Sequence, residues 1–267
     1  MFINFLIGIF VFVFGLCIGS FLNCVVYRLE KKEKLAGRSY CPQCKNTLSW
    51  RDLFPVFSFL CLWGKCKYCK TKISWQYPIV EVATGVMFLL IFNFSAQGGL
   101  ASGWNFLNLA FLFYVAAVLI VIFVYDFKYY IIPDKVLFPA IAITFAYRLF
   151  EGLLISNFTL VGTYLLAILI GSGFFLFIFL ISKGRWMGFG DVKLAILMGL
   201  LLGFPNILVA LFLAFFLGAV IGTIMMIFKE KNLRSELPFA PFLITGTFVA
   251  LLWGARLVEW YVNLFLL

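Results

Sequence analysis

No histidine occurs in the 267 residues. Its absence excludes Ser-His and Cys-His nucleophilic catalysis, HExxH metalloproteases and every His-ligated metal. Charge is scarce too: 12% of residues are charged, against about 25% in a soluble domain. The carboxylates are the scarcer sign, 11 acidic against 21 basic residues. No internal repeat is visible, which removes the usual signature of a transporter. The cysteines number seven, an odd total, and their spacing does not read as a disulfide framework.

What is abundant is apolar surface. Hydrophobic residues make up 64% of the chain and aromatics 20%, with 35 Phe. The apolar runs are too long and too free of charge for a soluble core. They predict an all-α polytopic membrane protein with about eight spans, near 2–27, 78–95, 105–126, 131–149, 159–182, 191–203, 207–228 and 239–266. Each approaches the ~20 residues that cross a bilayer, except the short sixth. The first run is expected to be a span and not a cleavable signal, because it lacks a basic lead-in and exceeds an h-region. A Gly-rich link is expected at 95–103, and Gly203-Phe-Pro-Asn206 reads as a tight turn.

The positive charges fall into four links. Residues 28–78 carry eleven Lys or Arg, and the links 126–135, 183–193 and 229–236 bring the total to 19 of the 21. With eight spans all four links lie on one side, which the positive-inside rule makes the cytoplasm. Only Arg148 and Arg256 fall on the other side. A charge spread over separate loops, with no groove-reading motif, is topology and not nucleic-acid binding. Three regions result: a first transmembrane helix (1–27), a cytoplasmic four-cysteine loop (28–77) and a transmembrane bundle (78–267).

Two carboxylates stand at span ends. Asp126 closes the third span and Asp191 opens the sixth, so both are expected near the cytoplasmic edge. An acid at that depth is costly unless paired or hydrated, which makes function the default hypothesis. Two close carboxylates do not both ionise readily: one keeps a proton while the other accepts one from water. That is the equipment of an aspartyl protease needing no covalent intermediate. Gly188 and Gly190 allow a close backbone approach before Asp191. Taken singly, each Asp is equally a helix N-cap, and Asp134 after Pro133 looks most like one.

Cys41-Pro-Gln-Cys44 and Cys66-Lys-Tyr-Cys69 form two C-x-x-C knuckles inside the basic loop. This spacing matches a closed, structural four-thiolate zinc site. Reduced free thiols or iron are the alternatives. Cys17, Cys24 and Cys61 read as small apolar residues.

Taken together the motifs resemble a family. Gly188-Phe-Gly-Asp-Val-Lys-Leu194 is similar to the G-x-G-D-V-K-L signature of type IV prepilin peptidases. Asp126-Phe-Lys-Tyr-Tyr-Ile-Ile-Pro-Asp134 looks like that family's first Asp motif. Gly19-Ser-Phe-Leu-Asn-Cys-Val-Val-Tyr-Arg28 resembles its G-S-F-L-N block, and the cysteine loop followed by Tyr77-Pro-Ile-Val-Glu81 matches as well. The resemblance implies a bifunctional enzyme of the bacterial inner membrane. It would remove the basic leader of type IV prepilins or pseudopilins at the cytoplasmic face, with Asp126 and Asp191 as the catalytic pair. It would then methylate the new N-terminus with S-adenosylmethionine, with Glu81 a candidate residue for that step. The alternative is another GxGD protease of the preflagellin type without methyl transfer. The chain departs from the family pattern at Lys45 and Lys70, where Gly is common after each C-x-x-C, and at Leu53 and Gln76.

Overall fold

The structure, a computed structural model, describes residues 2–96, 103–154, 156, 158–228 and 237–265. Most of the expected Gly-rich link at 95–103 and the basic link 229–236 lie outside the described residues. The regular elements among the described residues are helical: α1 (Phe2–Lys31), a 3-10 turn (Trp50–Leu53), a short α2 (Phe57–Cys61), α3 (Gln76–Ala96), α4 (Gly103–Tyr129), α5 (Asp134–Leu154), α6 (Phe158–Ser182), α7 (Phe189–Leu202), α8 (Asn206–Ile227) and α9 (Ala240–Phe265). Seven of these are long and apolar enough to cross a membrane among the described residues. The eighth expected span is α7, which has 14 residues and reaches about 21 Å, short of a bilayer core. The chain forms two compact units, Met1–Val124 and Tyr125–Leu267.

In the first unit α1 and α3 run antiparallel with their backbones close. A Cβ built on Gly15 would meet the Cα of Gly85 at 2.7 Å, and one on Gly19 the Cα of Glu81 at 2.7 Å. Apolar helices in lipid gain little from hiding apolar surface, so association rests on close approach and polar contacts. Asn23 supplies the polar contact. Its buried amide donates to the carbonyls of Gly19 and Tyr77, and Gln76 donates to its oxygen. Helix α1 runs four residues past its expected end. The cause is Arg28, buried, whose guanidinium donates to the carbonyls of Lys34, Leu35, Gly37 and Arg38 and folds the following chain back on the helix.

The second unit is built from antiparallel neighbours in the same manner. Gly199 of α7 packs on the backbone of Ile168 in α6, where a Cβ would come within 2.7 Å of its nitrogen. Gly246 of α9 packs against the carbonyl of Ala210 in α8. Helix α7 is the buried centre of the unit, with nearly every residue after Asp191 enclosed. It ends at Gly203, whose φ of 67° and ψ of 176° form a backbone conformation that only glycine adopts readily.

Replacing Gly19 by Ala is expected to destabilise the α1–α3 pair by about 1–3 kcal/mol, because the opposing atom is backbone and cannot rotate away. Thermal unfolding in detergent measures it, and an unchanged midpoint would contradict the packing.

Candidate functional site

Two candidate sites emerge, one in each unit. In the second unit Asp126 sits in the last turn of α4 and Asp191 in the first turn of α7. Both are enclosed, at 5% and 8% exposure. They stand close enough for the charge of Asp126 to act on Asp191. The backbone amide beside the Asp126 carboxylate is that of Ala240 at the start of α9, and Gly188 lies beside the Asp191 carboxylate. Unpaired amides at a helix N-terminus are natural donors to an anion. The two acids are thus enclosed, one near the start of α9 and the other in the first turn of α7. Such a pair can hold one proton between them and pass it to and from a bound water or carbonyl.

The glycines of the motif do different work. Both keep ordinary negative φ, so neither makes a strained turn. Gly190 lies against Ile132, whose side chain stands 3.1 Å from where a Cβ would be. It lets the first turn of α7 press onto the Ile131-Ile-Pro-Asp134 segment. Gly188 leaves open space beside Asp191, the carboxylate being its nearest neighbour at 3.8 Å. Pro133 starts α5, its carbonyl accepting the N–H groups of Val136 and Leu137.

Asp134 pairs with Lys193, which donates to both of its oxygens at 2.8 and 2.9 Å. The last turn of α7 is held by Arg148, also from α5. Its guanidinium donates to the carbonyls of Leu200 and Leu201, forms a 2.7 Å ion pair with Glu151 and lies over the Tyr164 ring. Helix α5 thus grips α7 at both ends. Neither this role of Arg148 and Glu151 nor that of the Ala240 amide was read from the sequence. The available signals were an Arg and a Glu three residues apart in an apolar span, and Ala240 bracketed by Pro238 and Pro241.

In the first unit the four cysteines converge. The Sγ atoms of Cys41, Cys44, Cys66 and Cys69 all lie within 4.8 Å of one another. The Cys41–Cys69 separation is 3.8 Å, the edge of a tetrahedron with metal–sulfur bonds of about 2.3 Å. The donor set fits a tetrahedral metal ion. The two knuckles repeat one geometry. In each, the first Cys N–H donates to the residue five positions on, Asn46 or Thr71, and its carbonyl accepts from Lys45 or Lys70. A bridge closes each turn, Tyr40 with Thr47 and Lys65 with Lys72. Asp52 ties the 3-10 turn to the second knuckle, accepting from Ser49 and Tyr68 and facing Lys67 at 3.7 Å.

Glu81 also belongs to this unit. It is buried in α3, and its carboxylate accepts the N–H of Val56 at 2.7 Å. Val56 has φ 60°, an unusual conformation for a β-branched residue. The contact was not foreseen.

Lys45 and Lys70 have φ of 60° and 59°, which explains why glycine suits both positions. Lys45→Gly and Lys70→Gly are each expected to stabilise the loop by about 0.5–1 kcal/mol. Slower loss of bound metal to a chelator checks this, and faster loss would contradict it.

Residues 13–94 match the Bacterial Peptidase A24 N-terminal domain, and residues 113–223 match the Type IV leader peptidase family. The chain is 32% identical to the prepilin leader peptidase/N-methyltransferase of Bacillus subtilis, over 95% of this chain and 97% of that one. It is 29% identical to the protein of that name from Aeromonas hydrophila, over 96% of this chain and 94% of that one. The Pseudomonas aeruginosa protein of the same name is 29% identical, over 93% and 91%. No solved structure matches. Both halves of the chain fit the two parts of one family, and a relative above 30% identity covers nearly all of it: the chain belongs to the type IV leader peptidase family.

Proposed function

We propose that this membrane aspartyl endopeptidase removes the leader peptide of type IV prepilins or pseudopilins at the cytoplasmic face of a bacterial inner membrane, with Asp126 and Asp191 as its catalytic pair. The observation that carries the reading is the pair itself: two enclosed carboxylates, in the last turn of α4 and the first turn of α7, in a chain without histidine. One carboxylate takes a proton from water as its oxygen bonds to the scissile carbonyl carbon. The other, protonated, donates to the carbonyl oxygen. Collapse of the tetrahedral intermediate breaks the C–N bond, and the leaving amine takes up the proton. The cytoplasmic orientation is supported by the charge bias: 19 of 21 basic residues lie in four links, which share one side when α7 is counted as a crossing.

Methyl transfer to the new N-terminal amine is the second activity we assign, by family membership. S-adenosylmethionine would supply an electrophilic methyl group. Glu81 is our candidate residue for this step, acting at least by fixing the loop through Val56. Zinc is the metal we assign to Cys41, Cys44, Cys66 and Cys69. All four positions of the ion would be filled by thiolates, so its role is structural.

Asp134 and Lys193, with Gly188, Gly190 and Pro133, support the motif by setting the rotation of α7 and hence of Asp191. A shift of about 1 Å at a reacting group can cost up to a hundredfold in rate.

Two measurements follow. Purified Asp126→Asn and Asp191→Asn proteins in lipid should cut prepilin at least about a hundredfold more slowly than wild type while remaining folded. Near wild-type cutting by either would remove that residue from the mechanism. Asp134→Lys and Lys193→Asp should each lower kcat roughly tenfold or more, and the double exchange should recover most of it. If the double exchange is no better than the singles, the ion pair is not what orients α7.

A further inference from the structure

The cysteine loop contains a stretch that does not behave like a water-exposed loop. From Leu53 to Gly64, Leu-Phe-Pro-Val-Phe-Ser-Phe-Leu-Cys-Leu-Trp-Gly, no residue is charged. Its outward face is apolar: Phe57 is 66% exposed, Leu60 60% and Trp63 88%, with Phe54 also exposed. Isolated exposed apolar residues are ordinary on a soluble surface, but a contiguous cluster marks an interaction site. An apolar run of about 10–14 residues is too short to cross a bilayer and suits an interfacial segment.

Its depth is fixed by named contacts. The Val56 N–H is donated to Glu81, whose backbone packs on Gly19 of α1. Gly19 lies seven residues inside the end of the apolar run of α1 at Val26, about 10.5 Å below it. Glu81 lies five residues into α3, about 7.5 Å from its start. Val56 is therefore held level with the second turn of α3. Phe21 of α1 and Ile79 of α3 are exposed apolar residues at similar positions along their helices. Trp50, just before the segment, and Trp63, near its end, are both exposed, as befits indole rings at the headgroup level. Arg51 precedes it, and Lys65 and Lys67 follow.

We propose that Leu53–Gly64 is seated in the headgroup layer of the bilayer, with anionic phospholipid as its partner. The apolar face supplies the insertion. The flanking cations supply the preference for anionic headgroups. The buried Glu81 carboxylate is the tether that holds the segment at that depth. This surface does not depend on the proteolytic assignment, because its test reads no turnover.

The test places p-benzoylphenylalanine at Phe57, and separately at Leu60, in the full chain. The protein is held in nanodiscs of mixed phosphatidylcholine and phosphatidylglycerol and irradiated, and the adducts are identified by mass. The same probe at Phe10 of α1 serves as the lipid-facing reference. The expected result is a phospholipid adduct at Phe57 or Leu60, enriched in phosphatidylglycerol. Arg51→Gln and Lys65→Gln should each lower that enrichment by roughly fivefold. No lipid adduct at either site while Phe10 is labelled would overturn the proposal. So would an adduct to a second copy of the chain, or one that forms only when prepilin is added. Lipid adducts without headgroup preference, unmoved by the two substitutions, would overturn the anionic partner.

Discussion

An α-helix that stops inside a membrane leaves its last carbonyls without partners and without water to supply them. The second unit is organised around that constraint, because α7 has 14 residues and its far end is buried among the other helices. Arg148 answers it by donating to the carbonyls of Leu200 and Leu201, and Glu151 balances the charge thus introduced. A cation at a helix C-terminus is also favoured by the helix dipole. With that end satisfied, the other end can begin where the reacting groups are needed. Its first turn carries Asp191, and the start of α9 turns an amide toward Asp126.

The same rule runs through the first unit, where polar side chains serve irregular backbone. Arg28 takes four carbonyls of the chain that leaves α1. Asn23 bridges α1 to the entry of α3, and Glu81 takes the N–H of Val56. Each of these side chains is buried and hydrogen-bonded, which is the condition for a polar group to be tolerated there. The helices themselves meet through glycine. Gly15, Gly19, Gly199 and Gly246 each lie where a Cβ would overlap the opposing backbone. Specific pairing is thus written into a few small residues in helices that are otherwise uniformly apolar.

The loop solves a different problem. Residues 32–75 contain few buried apolar side chains, among them Phe59, and so lack a core of their own. Two hairpin knuckles that bring four thiols together, joined by Asp52 to the neighbouring turn, take the place of that core.

The helices, the basic links, the two catalytic candidates and the four cysteines were legible in the chain itself. Each is signalled by residue type and spacing along one stretch: a long uncharged run, a cluster of Lys and Arg, an acid beside glycines, a repeated C-x-x-C. Tertiary structure decided which polar groups meet across distant segments. Asp134 read as a cap and turned out to face Lys193, 59 positions away. Arg148 read as one of two stray charges on the far side and became the cap of α7. Glu81 read as a carboxylate at a span start and became the anchor of a loop 25 positions earlier. The physical reason is the same in each case. A hydrogen bond or ion pair depends on distance in space, and linear spacing encodes that distance only within one helix or turn.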